Sequence, residues 1–156
     1  MGDQVYQKRY EVRWNDLDPN VHMENSAYLE YATQTRFSYL SQAGFGPADF
    51  QKHRIGPAVF EDVIRYYKEL YFLGEFTVDM RLGASSEDGS RFALHNRMHR
   101  PDGVLCAEVI SQAAWFSVVE RKIVPPPDGL KSAMDALVRT EDFRILPTGR
   151  GGSPEE

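Results

Sequence analysis

Hydrophobic and polar residues alternate from Tyr6 to Trp14. Tyr6, Tyr10, Val12 and Trp14 share one face and Gln7, Arg9, Glu11 and Arg13 the other, with Lys8 the exception on the apolar side. A period of two predicts a half-buried strand. Asn15-Asp16-Leu17-Asp18-Pro19-Asn20 then supplies dense turn chemistry, with a proline fixing the backbone after Asp18. A helix is predicted to follow, capped by Asn25 or Ser26, with Glu24 and Glu30 favourable to its dipole. Its stripe is Ala27, Tyr28, Tyr31, Ala32 and Thr35, and Leu29, Phe37, Tyr39 and Leu40 add apolar surface elsewhere. Such a girdle implies burial by more than one neighbour. Gly44 is the predicted stop.

The stretch from Gly44 to Gly56, with prolines at 47 and 57, reads as an irregular loop. Ala58 to Leu70 reads as a strand. So does the alternation of Phe76, Val78, Met80 and Leu82 with Thr77, Asp79 and Arg81. Glu87-Asp88-Gly89-Ser90 signals a hairpin into a strand with Phe92, Leu94 and Met98 on one face and His95, Arg97 and His99 on the solvated face. After the turn Pro101-Asp102-Gly103, Val104 to Val119 is apolar on both faces, as in a central strand. Pro125-Pro126-Pro127 breaks the pattern, and a short helix is expected from Gly129 to about Arg139. The order is a strand, a long helix, then four strands joined mostly by hairpins. The class is α+β: an antiparallel sheet with one buried helix. One domain is expected over residues 1–148, with a polar, Gly-rich and disordered tail over 149–156.

The chain has 156 residues and a formal charge of −5. Nucleic-acid partners are disfavoured, since binders of bare phosphate backbone are normally basic. The single cysteine, Cys106, excludes an intrachain disulfide and fits a reducing compartment. No apolar run is long enough to span a bilayer. Met1 to Arg9 is polar and lacks the apolar stretch of a signal peptide. Cytoplasm is the expected location, with no membrane span.

The segment from Asp16 to Tyr28, Asp-Leu-Asp-Pro-Asn-Val-His-Met-Glu-Asn-Ser-Ala-Tyr, resembles the signature of the 4-hydroxybenzoyl-CoA thioesterase family. That pattern is roughly Asp-x-Asp-x-x-Gly-His-x-x-Asn-x-x-Tyr with small gaps, after a first strand. Ile64 to Glu69, Gly103 to Glu108 and Pro125 to Leu130 are similar to weaker family segments, and the likeness runs from about Tyr6 to Leu137. It implies the hotdog fold, a curved antiparallel sheet wrapped around one long central helix. It also implies a dimer or tetramer with sites at a shared interface, and hydrolysis of an acyl-CoA or acyl-carrier-protein thioester. Asn20 stands where many members have Gly; asparagine tolerates left-handed backbone, so the turn can survive.

Thioester hydrolysis needs an activated water or a nucleophile, and donors for the oxygen that becomes negative. The resemblance assigns the carboxylate to Asp18, as nucleophile or general base. The free backbone N–H groups of the helix mouth near Asn25 would polarise the carbonyl. Asp16 reads as a turn-former. His22 either orders the turn and lines the pocket or exchanges protons. Asn25 is a cap or positions water, and Tyr28 packs in the core or lines the acyl pocket. Coenzyme A needs local cations, and Lys68, Arg91 and Arg97 are the candidates. No metal or cofactor is expected, and Cys106 reads as a small core residue. Two other readings stay open: a hotdog domain that binds an acyl thioester without turning it over, and a hotdog hydratase or dehydratase.

Overall fold

The computed structural model describes residues 4–148; the expected tail lies outside the described residues. Strand β1 (Tyr6–Glu11) is followed by a short 3-10 turn (Trp14–Asp16), the long helix α1 (Asn25–Gln42) and a second helix α2 (Pro47–His53). Then come β2 (Ile55–Tyr66), β3 (Glu75–Ser86), β4 (Arg91–His99), β5 (Leu105–Ser117), the two-residue β6 (Lys122–Ile123), α3 (Asp128–Asp135) and β7 (Arg139–Leu146). The sheet order is β1-β3-β4-β5-β2, every neighbour antiparallel, and α1 packs against it. An antiparallel sheet around one long helix, class α+β, is the expected architecture.

The strand periodicities place the core as physics requires. Phe76, Val78 and Met80 of β3 are fully buried, as are Met98 of β4 and Val109 of β5. β5 lies between β4 and β2, the interior place expected of it. Tyr6 and Tyr10 lean on α1: the Tyr6 ring meets Tyr39 edge-on, and Tyr10 bonds Thr35 Oγ1 at 2.9 Å. Lys8 is accommodated on that same face because its Nζ donates to Ser38 Oγ at 3.1 Å.

Several expectations give way. The alternation does not carry β1 to Trp14: the chain turns after Glu11, and Trp14 is 70% exposed. The expected loop holds α2, with Pro47 at its first turn, where a missing N–H costs nothing. The final helix ends at Asp135, and β7, which was not foreseen, runs parallel to β3 along Leu82–Ser86. The helix girdle is also incomplete. Ala27, Tyr28, Tyr31, Ala32 and Thr35 are buried, yet Ser26, Glu30, Thr33, Gln34 and Phe37 leave one arc of α1 open to solvent. His95 is half-buried rather than solvated, its ring lying so close over Gly83 that a Cβ there would come within 2.5 Å of it.

β2 is an edge strand of the sheet among the described residues. Its side chains are exposed or only half-buried along its whole length, and Val59, Phe60 and Tyr66 present large apolar surface. Uncovered edges of this kind invite pairing.

Candidate active site at the mouth of helix α1

The segment between β1 and α1 folds into two nested turns, and its two aspartates have different roles. Asp16 is only 2% exposed. Its Oδ2 accepts the Arg13 N–H at 2.9 Å, and Arg13 Nη2 donates to Oδ1 at 2.9 Å. The Tyr31 hydroxyl, from α1, donates to the same carboxylate. Burial raises the cost of its charge, but the bonds from Arg13 and Tyr31 outweigh that and hold the carboxyl below its ordinary range. The reciprocal effect, after burial, pushes Tyr31 up to about 12. Asp16 is thus the knot that ties the β1 exit to α1.

Asp18 is half-buried and faces the loop it closes. Its Oδ1 accepts the N–H groups of Asn20 at 2.9 Å and His22 at 3.1 Å, while its own N–H donates to His22 O at 2.9 Å. One carboxylate oxygen is engaged by the turn; Oδ2 carries no protein hydrogen bond among the described residues. Val21 takes φ 65°, so the left-handed residue of this turn is Val21 rather than Asn20. A β-branched side chain there is strained, by about 1–3 kcal/mol. Leu73, in the neighbouring β2–β3 connection, is also left-handed at φ 66°.

The two loops are stitched together. Met23 N–H donates to Leu70 O at 2.8 Å and Leu73 N–H to Val12 O at 3.1 Å. The His22 ring stands edge-on to Tyr71 and its Nδ1 lies 3.5 Å from Glu69 Oε1. This fixes where α1 begins. Its N-cap is Glu24, without a side-chain cap bond. The expected caps do not serve. Asn25 is already the first helical residue, and the Ser26 hydroxyl bonds Glu24 Oε1 at 3.2 Å. First-turn N–H groups lack intrahelical partners by construction, so the helix mouth opens beside the Asp18 loop.

Tyr28 is buried one turn in, and burial pushes its hydroxyl up to about 12. Its ring meets Tyr66 of β2 edge-on at 5.1 Å, and the Tyr66 hydroxyl reaches Asn25 O at 3.4 Å. Asp18, His22, Asn25 and Tyr28 therefore gather at one end of the molecule, rimmed by exposed Tyr66, Tyr71, Phe72 and Leu73.

The three proposed cations do not converge within one chain. Lys68 is exposed just beyond β2, its N–H on Cys106 O, near this end of the sheet. Arg97 alternates with the core-facing Asn96, so it points away from α1, and it pairs with Glu141 at 3.4 Å. Arg91 starts β4 at the other end of the sheet, with its guanidinium over the Phe60 ring at 5.9 Å. Among the described residues no group of three or more His, Cys, Asp or Glu is arranged to hold a metal. No helix there is long and apolar enough to cross a membrane.

Sequence reasoning set Tyr66 in a family-like segment without giving it a role, and it missed Arg36. Tyr66 lay inside a predicted strand with nothing to mark its partner on α1. Arg36 continues the buried stripe one turn beyond Ala32, yet its charge argued for solvent. It is only 9% exposed, and burial pulls its guanidinium down to about 10.

Residues 12–134 match the model of the thioesterase-like superfamily, and the chain belongs to it. Among solved structures it is similar to a hypothetical protein of Staphylococcus aureus determined in complex with CoA, at 16% identity and TM-score 0.77, over 97% of this chain and 91% of that one. A 1,4-dihydroxy-2-naphthoyl-CoA thioesterase from Synechocystis is 14% identical with TM-score 0.76, over 85% of this chain and 96% of that one. A gentisyl-coenzyme A thioesterase is 15% identical with TM-score 0.70, over 83% and 99%. Against curated proteins no match was found. These likenesses define the fold as the hotdog.

Proposed function

We propose that this chain hydrolyses an acyl-CoA or related acyl thioester to the free acid and thiol. The observation that carries the reading is the placement of Asp18. It is held by backbone donors at the mouth of α1, in a chain of the thioesterase-like superfamily. Its carboxylate either attacks the thioester carbonyl, releasing the thiol and leaving an acyl anhydride for water to open, or takes the proton of the attacking water. First-turn amides of α1 donate to the carbonyl oxygen as it gains charge. Tyr28 and Tyr66 line the approach, and of the three candidate cations Lys68 lies nearest to this end for a nucleotide phosphate. The test is release of free thiol from a panel of aromatic, short, medium and long acyl-CoAs and acyl-carrier-protein thioesters, followed with a thiol reagent. Turnover of at least one class is expected. Tight binding without thiol release would favour the non-catalytic reading instead.

The reading includes self-association. The exposed apolar residues of β2 and the open arc of α1 are both left uncovered by this chain, and a second copy pairing along β2 would cover the strand. Sedimentation at micromolar concentration is expected to give at least twice the 17.8 kDa of one chain. A monomer mass would defeat this part of the reading.

A further inference from the structure

Arg36 is a buried cation that the proposed chemistry leaves unused. Its Nε donates to Asn96 Oδ1 and its Nη2 to Ser111 Oγ, both at 2.8 Å. Both acceptors are neutral. The nearest counter-charge, Asp62, is one hydroxyl away: Ser111 Oγ donates to Asp62 Oδ1, on the open edge strand. Nη1, with two N–H groups, has no protein hydrogen bond among the described residues and is not sealed from solvent. A cation taken out of water without a direct anion costs several kcal/mol. A helix that needed only packing would carry leucine there.

Its place in the fold says what the charge faces. β2 runs beside α1 from the mouth downward. Tyr66 touches Asn25 and Tyr28, Ile64 and Leu29 pack on the same core cluster, and Asp62 reaches Arg36 through Ser111. An acyl group whose thioester sits at the mouth would lie along this seam. Arg36 is eleven residues beyond Asn25, roughly 16 Å at 1.5 Å per residue. The lean of helical side chains toward the N-terminus shortens that span.

We propose that Arg36 reads the far end of the acyl group, so that the preferred substrates are acyl thioesters carrying an anionic substituent, a carboxylate foremost, which docks on the free Nη1. This rests on the thioesterase reading for the direction of entry. A planar guanidinium fork suits a carboxylate, and a hydrogen bond to a charged group inside a protein is worth enough to set specificity.

The experiment compares hydrolysis of length-matched pairs: hexanoyl- with adipoyl-CoA, octanoyl- with suberoyl-CoA, decanoyl- with sebacoyl-CoA. In at least one pair kcat/KM should favour the carboxylated member by roughly tenfold to a hundredfold. Arg36→Met, which keeps the bulk and removes the charge, should abolish or invert that ratio, and Arg36→Lys should keep part of it. A wild-type protein that prefers the plain acyl group in every pair overturns the proposal, as does a folded Arg36→Met protein with an unchanged ratio. If Arg36→Met does not fold, Asp62→Asn decides: removing the counter-charge should strengthen the preference, and no change sinks the idea. If no thioester is cleaved, calorimetry with the matching non-hydrolysable thioethers separates the two claims. Tighter binding of the carboxylated thioether would uphold Arg36 while the hydrolytic reading fails; equal binding, or none, would reject Arg36.

Discussion

Asp18→Asn should cut thioester turnover by roughly a hundredfold to ten-thousandfold, the usual worth of a positioned acid or base, while leaving the fold intact. The exchange is clean because of the bonds this residue makes. Both N–H groups that reach it, from Asn20 and His22, end on Oδ1. An asparagine carbonyl oxygen can accept the same two. The backbone bond from Asp18 N–H to His22 O is untouched, and Pro19 keeps the turn's φ. Stability should change by no more than about 1 kcal/mol. Thermal melts and single-turnover kinetics on the two proteins test both halves. Near-normal turnover in a folded Asp18→Asn protein would remove the carboxylate mechanism and send the search to His22.

Asp16→Ala should do the opposite, acting on stability rather than on chemistry. It removes the acceptor of the Tyr31 hydroxyl and of the Arg13 N–H, leaving Tyr31 only its longer bond to Glu11 O at 3.3 Å. A buried donor that loses its partner costs about 1–3 kcal/mol. The charge of Arg13 adds little, because its side chain is 63% exposed and screened. A loss of about 1–3 kcal/mol is expected in chemical denaturation. The sign with pH follows from the depressed native pKa. The contribution is complete above the ordinary aspartate value of 3.8 and disappears as the pH falls through the lower native value. The wild-type protein should therefore lose stability steeply through that acid window, and Asp16→Asn should show a shallower slope there. Equal slopes would mean that Asp16 is not the residue bearing the acid sensitivity.

The two aspartates show what a sequence can carry. The strand–turn–helix order around them was legible because period two, proline-containing turn chemistry and a period-3.6 stripe are local signals. The motif likeness then picked Asp18 from its neighbour. The reason Asp16 differs was not legible, since it depends on Tyr31, half a helix away. Val21 could not be singled out either: its left-handed backbone is imposed by the stitching of two loops, against its own preference. Trp14 continued an alternation that tertiary structure ends three residues earlier. β7 was missed because its sequence, Arg-Thr-Glu-Asp-Phe-Arg-Ile-Leu, alternates poorly and its partner on β3 lies more than fifty residues upstream. Arg36 was passed over because charge and burial conflict, and such conflicts tend to mark functional positions.

The return of β7 has a consequence for synthesis. One edge of β3 is shared: β1 pairs along Tyr6–Glu11, and β7 alone takes the stretch from Leu82 to Ser86. During translation the first of these partners precedes β3, but the second follows it by more than fifty residues. Until it arrives, the half of β3 beyond Met80 presents unpaired backbone next to fully buried Leu82 and Ala84, the kind of template on which nascent chains pair with one another. Completion of this edge therefore waits on a segment more than fifty residues downstream, and the interval before it arrives is when β3 is most exposed to pairing between chains.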